Sequence, residues 1–325
     1  MQAKNSSGHN TLEATIISED QQASPAATDS KHKVLVLDSG VGGLSICKHL
    51  LASSHPLSLD YFSDNHAFPY GEKSESFIVE RLNAIVDSFL QRIDSDLIII
   101  ACNTASTIAL PSLRQNHSDT PFVGVVPAIK TAAANCQSGA FALLATPGTV
   151  QRKYTQELID RYAPEQEVVA VGSAELVQLV EGFLLSGELQ QSELAKIIAH
   201  IKAQASGRPI DSVVLGCTHF PLVQQQLSAL EPNWEWIESG PAIAARVESL
   251  LGETAKAESS NANVADCDST AQAIDGLTHS LPTPQNQFWV SSLQASPDYQ
   301  HSNHFLRKIK ELGFSAEIKL MEGLI

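Results

Sequence analysis

Cys102 and Cys217 each close a short apolar run that opens on an aspartate: Asp96-Leu-Ile-Ile-Ile-Ala-Cys102-Asn103-Thr104 and Asp211-Ser-Val-Val-Leu-Gly-Cys217-Thr218-His219. A thiol at the end of a strand and the start of a helix faces backbone N–H groups and the positive end of the helix dipole, both of which favour thiolate. One such thiol can act as a base or a nucleophile. Two in matched positions point to a narrower task, in which a thiolate removes a proton from one face of a carbon while a thiol delivers one to the other. Inversion of a stereocentre needs that geometry. Taken singly, each cysteine reads more readily as an inert core residue. Their neighbours shift the balance, because Asn103, Thr104, Thr218 and His219 supply more hydrogen-bonding groups than a single cap needs. His219 is placed to accept or return the Cys217 proton.

Three further motifs carry polar groups near strand ends. Asp38-Ser39-Gly40-Val41-Gly42-Gly43 follows an apolar run and opens a helix, where glycines let backbone N–H groups approach an anion. Its spacing is neither GxGxxG nor GxxxxGK[ST], which sets aside dinucleotide and P-loop chemistry. Asp38 there either engages an ammonium group, tunes a nearby thiol or simply caps the helix. Pro69-Tyr70-Gly71 fixes a turn and presents a hydroxyl and an N–H. Thr146 and Thr149 flank Pro147-Gly148 and offer two hydroxyls at a helix start, where capping is the alternative role.

The elements that must hold these groups are short apolar runs alternating with segments of helical period. The runs are Val34 to Leu37, Leu57 to Phe62, Leu97 to Ala101, Phe122 to Val126, Phe141 to Leu144, Val168 to Val171 and Val213 to Leu215. Such alternation predicts β/α units and parallel sheet covered on both faces, an α/β fold. Ligands of such sheets sit at the C-terminal strand ends, where the motifs lie. The echo between the two cysteine segments, about one small domain apart, predicts two similar halves facing each other. Phe288-Trp289-Val290 reads as a further strand and Tyr299 to Leu312 as a helix.

The chain has 325 residues, 43% of them apolar, enough for two domains with their own cores. A net charge of −15, from dispersed acidic residues, argues against tracking a phosphate backbone, so no nucleic-acid partner is expected. Five cysteines, an odd number widely spread and without a CxxC pair, fit a reducing compartment rather than a disulfide framework, and no metal site is expected. Residues 1–32 are rich in Ser, Ala, Asn and Gln without a secretory apolar core, and are read as a disordered extension; cytoplasmic location is the expectation. No apolar run approaches bilayer length, so no membrane association is expected.

As an ordered set, Asp38-Ser39-Gly-Val-Gly-Gly-Leu44, Pro69-Tyr70-Gly71-Glu72-Lys73, Ala101-Cys102-Asn103-Thr104-Ala105 and Gly216-Cys217-Thr218-His219-Phe220-Pro221-Leu222 closely resemble the glutamate racemase family, most of all its proteobacterial type, from about Val34 to Leu251. The resemblance implies two pseudo-symmetric parallel-sheet α/β domains facing each other across an active-site cleft. Residues 33–126 plus 235–325 would form the first, with 252–286 a flexible insertion, and 127–234 the second. It also implies interconversion of L- and D-glutamate with no cofactor, supplying D-glutamate for peptidoglycan synthesis. Cys217 would then work on L-glutamate and Cys102 on the D-enantiomer, with Asp38 and His219 assisting. Glu181 is similar to the family's acidic residue near the second cysteine, although the cysteine that often precedes it is absent here. Implied substrate contacts are Asp38, Ser39, Pro69, Tyr70, Gly71, Asn103, Thr104, Thr146, Thr149 and Thr218. Some extended proteobacterial members respond to a UDP-muramyl peptide precursor, which makes that activator an implied partner. Cys47, Cys136 and Cys267 match no motif and read as bystanders.

Other readings compete with this one. A two-cysteine racemase for aspartate or another amino acid would use the same thiols; a cysteine amidase or hydrolase would need only Cys217 and His219 and would leave Cys102 unexplained; a non-catalytic binding protein on this fold would need neither, and a racemase with a secondary inhibitory partner would keep both.

Overall fold

The computed structural model describes residues 32–261, 286–292 and 299–321. The N-terminal extension, most of the insertion read at 252–286, and Cys267 lie outside them. The helix Gly240–Asn261 continues past Gly252, where the sequence analysis places the start of that insertion.

Among the described residues ten strands form two sheets, both parallel throughout. The first contains β1 (His32–Asp38), β2 (Leu57–Ser63), β3 (Leu97–Ile100), β4 (Phe122–Gly124), β9 (Asn286–Val290) and β10 (Phe314–Leu320), in the order β10-β9-β2-β1-β3-β4. The second contains β5 (Ala140–Ala145), β6 (Glu167–Gly172), β7 (Ser212–Leu215) and β8 (Glu235–Ile237), in the order β6-β5-β7-β8. The four-strand cores therefore share one order, β2-β1-β3-β4 matching β6-β5-β7-β8. The C-terminal segment widens only the first, on the β2 side.

Both faces of each sheet are buried under helices, which is why its strands read as unbroken apolar runs. In β1, Val34 and Val36 pack into one core while Leu35 and Leu37 pack into the other; in β5 Ala142 and Phe141 divide the same way. Leu97 to Ile100 are fully buried, each contributing roughly 1.5–3 kcal/mol of transfer free energy. The helices Leu44–Leu51 and Asn303–Glu311 cover one face of the first sheet, with Glu75–Leu90 and Asn103–Asn116 on the other.

The aspartates of the internal echo work at the far end of the sheets from the cysteines. Asp96 Oδ2 accepts the Lys33 N–H of β1 at 2.8 Å, and Asp211 Oδ2 accepts the Gln137 and Ser138 N–H groups leading into β5 at 2.7 and 2.6 Å. Each ties its strand to the matching neighbour and fixes the register that delivers a cysteine to the opposite edge.

Three elements differ from the sequence reading. The short strand β8 begins at Glu235 and pairs with β7, so the second sheet extends past the 234/235 border implied by the resemblance. β10 escaped notice although Phe314, Ala316, Ile318 and Leu320 alternate with polar residues at strand period. The C-terminal helix starts at Asn303 rather than Tyr299, because the Ser302 side chain caps it by accepting the Phe305 N–H at 3.0 Å. Tyr299 is thereby left outside the helix.

Candidate active site

In a parallel sheet of this order, the two central strands are followed by chains that leave toward opposite faces, opening a crevice at their C-terminal ends. Here two such crevices contribute to one cavity. Asp38 and Ser39 follow β1 and Cys102 follows β3; Thr146 follows β5 and Cys217, Thr218 and His219 follow β7. The Pro69-Tyr70-Gly71 turn, beyond β2, adds a further wall. Together with Asn103, Thr104, Glu72, Pro147, Ala174 and Val177, these residues line a cavity of about 180 Å3.

Of the candidates read from the sequence, twelve residues line the cavity: Asp38, Ser39, Pro69, Tyr70, Gly71, Cys102, Asn103, Thr104, Thr146, Cys217, Thr218 and His219. Thr149 and Glu181 stand one shell behind. Thr149 Oγ1 lies 2.9 Å from Thr146 Oγ1 and 3.3 Å from Thr104 Oγ1, a hydroxyl cluster that joins the two halves. Thr146 is also the helix cap that the composition suggested, accepting the Thr149 N–H at 3.2 Å.

Glu181, on the helix Ala174–Ser186, is 2% exposed and reaches His219, its Oε2 lying 2.6 Å from Nε2. The other ring nitrogen, Nδ1, is 3.8 Å from the Cys217 sulphur. Burial works against a charged His219, but its contacts with Cys217 and Glu181 outweigh it, and the ring is held protonated well above its ordinary range. A cation therefore faces Cys217.

Cys102 has different company. It stands immediately before the helix Asn103–Asn116 in extended conformation. Burial raises its pKa and the nearby Asp38 carboxyl raises it further; the Ala105 and Thr104 N–H groups oppose them only in part. This favours the thiol form. Asp38 itself is pushed upward by burial, against the lowering influence of His219 and of hydrogen bonds from the Gly40 N–H at 3.1 Å and the Thr218 hydroxyl at 2.9 Å. It sits between the two halves, beside one thiol and tied to the residue following the other.

The glycine loop serves the protein's own carboxylates. The Gly40 N–H is donated to Asp38 and the Val41 N–H to Glu181 Oε2 at 3.3 Å. A Cβ at Gly42 would lie 2.5 Å from both His219 Nδ1 and Thr218 Oγ1, and one at Gly40 3.0 Å from Glu181 Oε2. The glycines are spaced for close approach of one half to the other, not for a phosphate.

Among the described residues no Lys or Arg lines the cavity. Asn103 Nδ2 is buried there with no hydrogen-bond partner among the described residues, a donor left over for a bound molecule. Behind the Tyr70 wall, the Tyr70 hydroxyl donates to Asp64 Oδ2 at 2.7 Å and Arg81 grips the same carboxylate through Nε and Nη2 at 2.9 and 2.7 Å. The sequence reading missed this network as well as Glu72, Pro147, Ala174 and Val177. Glu72 and Pro147 lie within motifs already quoted, though neither was named as a site residue, and Ala174 and Val177 open the helix after β6, so the strand-end rule reaches them. Nothing local marked Asp64 or Arg81.

Residues 44–247 match the family model described as Asp/Glu/Hydantoin racemase. The chain is 48% identical over 273 residues to a glutamate racemase of Klebsiella pneumoniae (strain 342), covering 83% of this chain and 94% of that one. It is 49% identical over 249 residues to a glutamate racemase of Escherichia coli (strain K12), covering 74% and 85%. Its structure is similar to the crystal structure of Escherichia coli glutamate racemase in complex with L-glutamate and the activator UDP-MurNAc-Ala, with a TM-score of 0.73 and 40% identity over 89% of this chain and 98% of that one.

Proposed function

Starting from the fact that the chain belongs to the Asp/Glu/hydantoin racemase family, we infer that it is a glutamate racemase, an isomerase that interconverts L- and D-glutamate. The observation that carries the mechanism is the delivery of Cys102 and Cys217 from equivalent strands of two sheets into one cavity.

For L-glutamate the Cys217 thiolate, paired with the His219 imidazolium, takes the α-proton. The Cys102 thiol, kept protonated by burial and by Asp38, gives a proton to the opposite face. The products are D-glutamate, a Cys217 thiol and a Cys102 thiolate. Return to the starting state needs one proton to leave Cys217 and one to reach Cys102; His219, already an imidazolium, passes its own proton on before it takes the one from Cys217, and Asp38 stands beside Cys102. D-glutamate follows the reverse course.

An amino-acid α-proton is only weakly acidic, so the developing carbanion must be stabilised by fixed donors. Without Lys or Arg at the wall, the carboxylates of the substrate are held by Asn103 Nδ2, the Ser39, Thr104, Thr146 and Thr218 hydroxyls and the N–H groups at the start of the helix Asn103–Asn116, with Asp38 taking the ammonium group. Pro69, Tyr70 and Gly71 close the wall. Thr149 holds Thr104 and Thr146 in place, and Glu181 holds His219.

By its likeness to the Escherichia coli enzyme, which is bound to the activator UDP-MurNAc-Ala, we propose that the chain responds to a UDP-muramyl peptide; we further propose that its D-glutamate supplies peptidoglycan synthesis in the cytoplasm. Among the described residues no helix is long and apolar enough to cross a membrane.

The test is incubation of the purified protein with L-glutamate in deuterated water without added cofactor, with and without UDP-MurNAc-Ala. Loss of optical rotation with deuterium at Cα is expected. No exchange under either condition overturns the reading, and the same assay on aspartate then separates a wrong substrate from a wrong reaction.

A further inference from the structure

Tyr299 brings the C-terminal segment to the catalytic centre. Tyr299 is 2% exposed and stands outside the helix Asn303–Glu311, its ring packed among Phe288 and Phe305 at centroid distances of 5.9 and 4.9 Å. Its hydroxyl donates to Glu181 Oε1 and accepts from the Ser63 hydroxyl at 3.3 Å. Glu181 Oε2 takes the remaining contacts, His219 Nε2 and the Val41 N–H. A chain of contacts thus runs Tyr299, Glu181, His219, Cys217. Its outermost member lies beyond residues 44–247, the part that matches the family model.

We propose that Tyr299 is a positioning residue for the Cys217 half of the reaction: by occupying Glu181 Oε1, its hydroxyl keeps the carboxylate turned so that Oε2 holds His219 with Nδ1 toward the Cys217 sulphur. The inference rests on the racemase reading above. A buried carboxylate that loses one of its three donors gains freedom to rotate. His219 then loses its aligned partner. Burial beside Glu181 raises the phenol pKa well above its ordinary value, which keeps the hydroxyl a donor throughout the working pH range.

Equal free energies of the two enantiomers force kcat/KM to be the same in both directions for any variant, so a one-sided effect shows in isotope effects. Tyr299→Phe, which keeps the packed ring, is expected to lower kcat/KM about tenfold, the worth of a hydrogen bond to a charged group. The primary isotope effect with α-deuterated L-glutamate, whose proton goes to Cys217, is expected to rise, and that with α-deuterated D-glutamate to stay or fall. In a Glu181→Gln background the same substitution is expected to cost less than about twofold, because the two residues act as one unit. Equal losses in both backgrounds, or isotope effects rising alike for both enantiomers, would show general loosening and overturn the proposal.

Ser302→Ala is the control, since Ser302 caps the same helix and donates to the Leu185 carbonyl without touching Glu181. The His219 ring, followed by 15N spectroscopy, reads the contact without turnover. It should shift in Tyr299→Phe and not in Ser302→Ala, and an unmoved ring in Tyr299→Phe defeats the inference even where the wild type racemises glutamate. A wild type that fails to racemise glutamate instead defeats the functional reading.

Discussion

Cys102 and Cys217 leave equivalent strands of two sheets with one strand order, yet the surroundings of the two thiols are unlike. Cys102 precedes a helix of 14 residues and has the Asp38 carboxyl for a neighbour. Cys217 precedes only a 3-10 turn, Phe220–Val223, tightened by Pro221, and has the His219 ring 3.8 Å away. One thiol therefore faces an acid and is held as a thiol, while the other faces a cation. Repeating a fold twice provides two thiols on opposite sides of a carbon. Making them a base and an acid at one moment requires that the repeats differ.

The largest test of the comparison is removal of either sulphur. Cys102→Ser and Cys217→Ser are each expected to lower racemisation about 10³-fold or more, measured by optical rotation, because a serine hydroxyl is a far weaker acid than a thiol. Activity surviving in either would break the two-thiol account. Next is Glu181→Gln, expected to cost about 100-fold through loss of the His219 counter-ion, on the order of a misplaced catalytic group. An unaltered rate would mean that His219 needs no carboxylate.

Gly42→Ala tests the close approach of the halves. Its Cβ must displace His219 or Thr218, and a drop in kcat/KM of about tenfold or more with the fold retained is expected. Circular dichroism alongside the assay distinguishes this from unfolding.

A smaller effect is expected with pH. His219 faces Cys217 and Glu181, with Asp38 nearby, and its folded pKa lies above its ordinary 6.5. Its contribution to stability is fully present below that value and fades as pH rises through the folded pKa. The alkaline limb of kcat/KM should follow it and move to lower pH in Glu181→Gln, since removing the carboxylate removes a cause of the elevation. A limb that stays in place assigns it to another group. Smallest is Cys136→Ser: that half-buried thiol lies 3.8 Å from the Ser138 hydroxyl, at the margin of a core cluster and away from the cavity, and the change should leave racemisation untouched and stability within about 0.5 kcal/mol in a denaturant titration.

Much of the fold was legible because its strands are buried on both faces, so seven of them stood out as apolar runs ending in polar residues. β8 and β10 were not, being a three-residue strand and an edge strand whose burial is slight. The site was legible for a related reason. In parallel sheets, function gathers at strand ends, and Asp38, Cys102, Thr146 and Cys217 occupy such ends in the sequence as they do in space. Glu181 entered only through resemblance to a family, because a lone glutamate in an apolar helix carries no local sign of what it will meet.

By itself the sequence determined the class of fold, the pairing of two cysteines and the polar residues beside them, since each follows from local pattern. The tertiary structure alone decided which groups face each thiol. Asp38 acts on Cys102 and bonds Thr218 across the cleft, Glu181 orients His219 from a helix of its own, and Tyr299 holds Glu181 from near the C-terminus. These partners are far apart in the chain, and the charge state of a buried group depends on which dipoles and charges the fold brings within a few ångströms of it.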